Sequence, residues 1–180
     1  MCGNTIKLTL QLATLNSNSS DSSTSSQSEN SVLETVECST IDSGINLINS
    51  YISKKVNLAH CKAIIISEEI ATEGISPYLY TIVNNTELRP DCNIIISRCN
   101  ASDFLKHSEP TLESVSARYY ELVINSSEYT GYLEDVTLSD FYSDMLSPTS
   151  DAHAILGGIN SESTHKTNAN LPSYNIPRFI

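Results

Sequence analysis

Apolar and polar positions alternate from Thr5 to Leu15. Ile6, Leu8, Leu10 and Leu12 fall on one side, Lys7, Thr9 and Gln11 on the other. A period of two belongs to a strand with one buried face. From Asn16 to Ser31 no apolar side chain occurs. This Ser/Asn-rich tract has nothing to bury against the entropy of ordering, and predicts a flexible loop over 16–31. Val32 to Glu37 alternates again, with Glu34 between Val32 and Val36. It predicts a short or irregular strand, forming a hairpin with the first. Ser39 and Thr40 are candidate caps. After them Ile41, Ile45, Ile48 and Ile52 recur at spacings of four, three and four, the apolar stripe of an amphipathic helix. Gly44 costs that helix some propensity. Its end is expected near Ser53, Lys54 and Lys55, where lysines suit the negative helix terminus.

The period then changes. Ala63 to Ile66 is a continuous apolar run with three isoleucines, which predicts a strand over 61–67 buried on both faces. Ser67 to Gly74 reads as a short helical turn closed by Gly74. Ser76 to Asn84 reads as a helix with Pro77 in its first turn, burying Ile75, Leu79, Ile82 and Val83. Arg89, Pro90 and Asp91 make a turn. Ile94, Ile95 and Ile96 centre a second buried strand over 93–98. Strand, helix and strand with short links predict a parallel βαβ unit with a right-handed crossover.

Further on, Asn100 caps a short helix, Ala101 to Lys106. Leu112 to Ile124 predicts a longer one with Val115, Tyr119, Leu122 and Val123 apolar. Thr137 and Asp140 stand at capping-box spacing, ahead of Leu138, Phe141, Met145 and Leu146 facing inward. Asp151 to Ile159 is extended. Residues 160–180 are polar and predict a tail or the start of a missing region. The expected fold is a single α/β domain over 1–159, with α+β as the alternative. It has a mixed sheet whose central strands, 61–67 and 93–98, are flanked by helices.

Composition narrows the function. The 180 residues carry a formal net charge of −11 and a pI of about 4.6. A phosphate-backbone binder needs a basic face, so nucleic acid is excluded as a partner. Electrostatic docking on anionic lipid is excluded on the same ground. No apolar segment reaches the roughly 18 residues of a spanning helix, and no signal peptide is expected. The five cysteines, Cys2, Cys38, Cys61, Cys92 and Cys99, form no CxxC pair and match no zinc spacing. Cys61 reads as a small core hydrophobe. Cys92 and Cys99 would stand about 23 Å apart on one strand, too far to pair. His60, His107, His153 and His165 are scattered, so no metal or cofactor ligand is expected.

The tempting chemistry has plainer readings. His60 and Cys61 could suggest a nucleophile pair, but neighbours on a strand point to opposite faces. His60 is expected to bond a backbone group at the start of the strand. Glu68, Glu69 and Glu73 read as a solvated helix start. Gly157 and Gly158 fit neither a GxGxxG nor a P-loop pattern and predict a bend at a strand end. Tyr119, Tyr120, Tyr129, Tyr132 and Tyr142 read as core or edge packing ahead of a contact surface. No catalytic residue is singled out. Cys2, followed by Gly3, is the candidate for lipidation.

Several words of the chain occur in an order that resembles a known family. Thr40 and Ile41 open a helix. Asn57, Leu58, His60 and Lys62 lead into a strand, as in the family's Leu-x-His-x-Lys segment. Ile64 to Ser67, Glu68, Glu69, Ala71, Gly74 and Ile75 follow the family's apolar run, paired glutamates and closing Gly-Ile. Its usual glycine before the glutamates is Ser67 here. Glu87, Leu88, Arg89, Pro90 and Asp91 precede the second strand, and Ala101 to Leu105 resembles the next helix. Thr40 to Lys106 is thus similar to the N-terminal domain of the Ger(x)C family, the C-subunit lipoproteins of bacterial spore germinant receptors, in a truncated or divergent form. The resemblance implies a non-enzymatic protein acting through protein–protein contacts in nutrient-triggered germination. It implies A- and B-type membrane subunits as partners. It also implies a lipid-anchored place on the outer face of the spore inner membrane, although this chain by itself reads as soluble. Two other readings stay open. One is a small-molecule-binding α/β domain with its ligand near Ser67 and Ser97, at the carboxyl ends of the strands. The other is a hydrolase using a serine and one of the histidines.

Overall fold

The structure is a computed structural model and describes residues 5–14, 30–107, 116–131 and 133–159. β1 (Ile6–Thr14) and β2 (Asn30–Cys38) pair antiparallel, with Ile6 opposite Cys38 and Leu12 opposite Val32. The expected hairpin is present. Its second strand is regular over nine residues rather than short, and begins at Asn30 and Ser31, two positions expected in the loop. The rest of that tract, Cys2 and the 160–180 segment lie outside the described residues. Leu8, Leu10, Leu12 and Val36 pack against Ile48, Ile52, Val56 and Leu58.

α1 (Ile41–Tyr51) starts at a capping box. The Ser43 amide donates to the Thr40 hydroxyl and the Thr40 amide to the Ser43 hydroxyl, each at 3.2 Å. Two otherwise orphaned amides are satisfied. Ile48 is fully buried against the hairpin. Gly44 has a packing reason to be there. A Cβ at this position would lie 2.7 Å from Cys38 Sγ and 2.8 Å from Leu8 Cδ2, so the helix rests directly on the hairpin. α1 ends at Tyr51, before the lysines expected to close it. Lys55 instead reaches Glu87 Oε1 at 2.7 Å.

β3 (Ala63–Ser67), β4 (Asn93–Ser97) and β5 (Ile155–Gly157) form a second sheet in the order β3-β4-β5, all parallel. The fold is α/β. The antiparallel and parallel pairings occupy separate sheets instead of one. β4 lies in the centre and every one of its residues is buried. β3 is an edge strand, and Ile66 alone among its residues is buried. The full burial expected of 61–67 fails because no described strand pairs with one flank of β3.

α2 (Glu68–Gly74) and α3 (Ser76–Val83) connect β3 to β4. Gly74 adopts a φ of +123°, which only glycine takes without strain. Leu79 and Ile82 of α3 bury against Ile66, Ile94, Ile96 and Leu156, together with Leu138 and Phe141 of α7 (Leu138–Leu146). The other face, Ile95 and Ile155, is covered by Phe104 of α4 (Ala101–His107) and by Tyr119, Tyr120 and Ile124 of α5 (Ser116–Asn125). One expected inward residue points outward, Leu146 at 65% exposed, and Leu122, an apolar position of α5, is 43% exposed. Tyr120 and Ile124 take the inward positions on α5. A further short helix, α6 (Ser127–Thr130), was not legible in the pattern. α7 has the expected capping box between Thr137 and Asp140.

Candidate functional site

In open parallel sheets, ligands sit beyond the carboxyl ends of the strands. Here Ser67, Ser97 and Gly157 are level in the register. Each is already committed. Ser67 runs straight into α2, so the exposed Glu68 and Glu69 flank this end and disfavour an anionic ligand. Ser97 is fully buried and its hydroxyl donates to the Cys99 carbonyl. Gly157 is where the Phe104 ring sits: a Cβ there would come within 2.9 Å of it. The glycine serves close packing on β5 rather than the expected bend.

The amino end of the sheet holds His60, Cys61 and Cys92. His60 closes a 3-10 turn (Leu58–His60), and Cys61 follows as its cap. Neither lies on the strand, so the opposite-faces argument does not govern them. His60 is exposed and makes no hydrogen bond among the described residues, contrary to the expected backbone bond. The Cys61 thiol turns to the Ala63 carbonyl at 3.4 Å. Burial raises its pKa, partly offset by that bond. Burial, then the neighbouring charges of Cys61 and Asp91, push the Cys92 thiol up to about 12. Thiols held neutral are poor nucleophiles. Cys38, Cys61, Cys92 and Cys99 are all free.

One cluster had no signal in the sequence. His153 lies in the segment before β5. Its Nε2 is 3.2 Å from Glu134 Oε1 and its Nδ1 is 3.7 Å from Asp144 Oδ2 of α7. These three residues share no local spacing, so only the fold brings them together. Nearby, Asn93 donates to Asp135 at 2.6 Å. Together these contacts tie the 133–136 segment to β4, to α7 and to the start of β5. Among the described residues, no group of three or more His, Cys, Asp and Glu side chains could hold a metal ion. His107 Nδ1 lies 2.8 Å from the Asp103 carbonyl of its own helix. His165 lies outside the described residues.

The tyrosines divide. Tyr119 and Tyr120 are core residues packed edge-on at 5.6 Å, with Tyr120 stacked at 6.5 Å on Phe104. Tyr142 packs against the α3–α7 side of the core. Tyr129 is 81% exposed. Tyr132 lies outside the described residues. Exposed Leu47 and Tyr51 on α1 and Tyr80 on α3 add apolar surface that the sequence reading passed over.

A parallel sheet with covered faces, filled strand ends and neutral thiols defines an α/β module whose polar groups are spent largely on its own structure. Residues 2–159 match the model of the spore germination protein N-terminal domain, and the chain belongs to that family. It is 30% identical over 116 residues to the Bacillus subtilis (strain 168) protein named "Putative spore germination protein YfkR". The match covers 64% of this chain and 29% of that protein, so the chain spans less than a third of the relative's length. No solved structure matches. No described helix is long and apolar enough to cross a membrane.

Proposed function

We propose that this chain is a non-enzymatic, C-subunit-like component of a bacterial spore germinant receptor, acting through protein–protein contacts in nutrient-triggered germination. The observation that carries the proposal is the family match over residues 2–159. Several of the groups that chemistry would need are engaged elsewhere, which favours a contact role. Ser97 is buried and bonded, Cys61 and Cys92 are held as neutral thiols, and His107 is bonded to its own helix. The partners are the A- and B-type membrane subunits of the receptor. The place of action is the outer face of the spore inner membrane, reached through a lipid anchor.

Deleting the gene in the source organism and scoring germination against a panel of nutrients tests this. Loss or slowing of the response to at least one nutrient, restored by the gene in trans, is the expected result. Normal germination with every nutrient overturns the proposal. Retrieval of both membrane subunits with a tagged copy distinguishes a receptor component from an independent germination factor.

A further inference from the structure

The sheet order leaves β3 with no described strand beside its outer edge. The strand itself, Ala63 to Ser67, has no charge, no proline and no bulge in its register. Those are among the devices by which edge strands avoid pairing. Lys62 and Glu68 stand immediately outside it, one at each end.

Which backbone groups face outward follows from parity. The Asn93 amide donates to the Lys62 carbonyl at 2.9 Å. In a parallel ladder, alternate residues of a strand direct their amide and carbonyl to opposite sides. Lys62, Ile64 and Ile66 therefore face β4. Ala63, Ile65 and Ser67 turn to the open side. Among the described residues, the Ala63 carbonyl accepts only the contact from the Cys61 thiol at 3.4 Å, and the Ser67 carbonyl is committed to the start of α2.

We propose that this edge pairs with the same edge of a second copy of the chain, antiparallel about Ile65. A two-fold interface places the same surface on both partners. In this register each Ile65 exchanges amide–carbonyl bonds with its counterpart. Each Ser67 amide meets the Ala63 carbonyl of the other copy. Each Lys62 stands opposite a Glu68, so opposite charges face each other at both ends. A shift of one residue sets outward-facing groups against inward-facing ones. A shift of two puts Lys62 opposite an isoleucine and loses the charge match. The pairing joins two three-stranded sheets into one continuous sheet. So short an edge belongs to the class of small, reversible interfaces.

Sedimentation velocity over about a hundredfold range of concentration tests the proposal. The average mass is expected to rise with concentration from the 19.7 kDa monomer toward the dimer. Lys62→Glu alone and Glu68→Lys alone are each expected to weaken the dimer by about tenfold or more. The double variant, with both charges exchanged, restores it. Glu68 is exposed, so its variant folds even if Lys62→Glu, which also loses the 2.9 Å ion pair to Glu121, does not. Glu121→Gln breaks that pair alone and is expected to leave the dimer intact. A monomer at every concentration overturns the proposal and leaves the edge to another part of the chain. A dimer indifferent to Glu68→Lys overturns it in favour of a different surface.

Discussion

Cys92 joins burial to a measurable consequence. It lies 1% exposed at the amino end of β4, and its thiol is raised from an ordinary value of 9.0 to about 12. The folded chain therefore keeps this proton at pH values where the unfolded chain has lost it. The contribution of this group to stability is constant below about pH 9 and falls as pH rises from there toward 12. A single group sets a limiting slope of about 1.4 kcal/mol per pH unit. Urea denaturation at a series of pH values should show this alkaline decline, and Cys92→Ala should flatten it. Cys38 and Cys61, also raised by burial, leave a residual slope. At the same scale, two glycines show what a residue type alone conveys. Gly44 looks like a weak point in a helix and Gly157 like a bend, yet both are places where a neighbouring side chain fills the space of a Cβ.

Among the elements, the caps were the most legible. Thr40 and Thr137 stand three residues before partners that return their hydrogen bonds, a relation written entirely in local spacing. Thr40→Ala and Thr137→Ala should each destabilise the chain by about 1 kcal/mol, read as a shift in the urea midpoint at constant slope. The inward face of α5 was not legible, for an identifiable reason. Tyr119, Tyr120, Leu122, Val123 and Ile124 spread apolar groups over an arc of about 200° of the helix, wider than the face it buries. Periodicity cannot choose among overlapping stripes. Contact with Phe104 and Ile95 chose Tyr119, Tyr120 and Ile124. The end of α1 was misplaced because lysines are compatible with a helix end but do not mark one. Lys55 is used in an ion pair with Glu87 instead, which holds that carboxylate below its ordinary range.

Across the whole molecule, the two sheets differ in how deeply they lie. β4 is flanked by strands on both sides and covered by helices on both faces, while the β1–β2 hairpin is packed through one face onto α1. Opening is easiest where few buried contacts hold the backbone. Hydrogen exchange should therefore be slowest at the amides of Ile94, Ile95 and Ile96, and clearly faster in Ile6 to Thr14. Equal protection of both would mean that hairpin and sheet open as one unit. The candidate site belongs to this scale as well. The His153, Glu134 and Asp144 cluster joins three segments that no sequence window contains together.

The sequence by itself determined the hairpin, the capped helices, the strand–helix–strand unit and the ordered words that identify the family. All of these rest on spacings of a few residues, where the chain's own geometry fixes which groups meet. The tertiary structure decided which of two nearly identical strands became the centre. Ala63 to Ser67 and Asn93 to Ser97 share the run Ile-Ile-Ile-Ser. One is half-exposed and the other wholly buried, because burial depends on what stands on either side of a strand. That neighbour is supplied by β5, some sixty residues further along the chain than β4, and no property of the run itself encodes it.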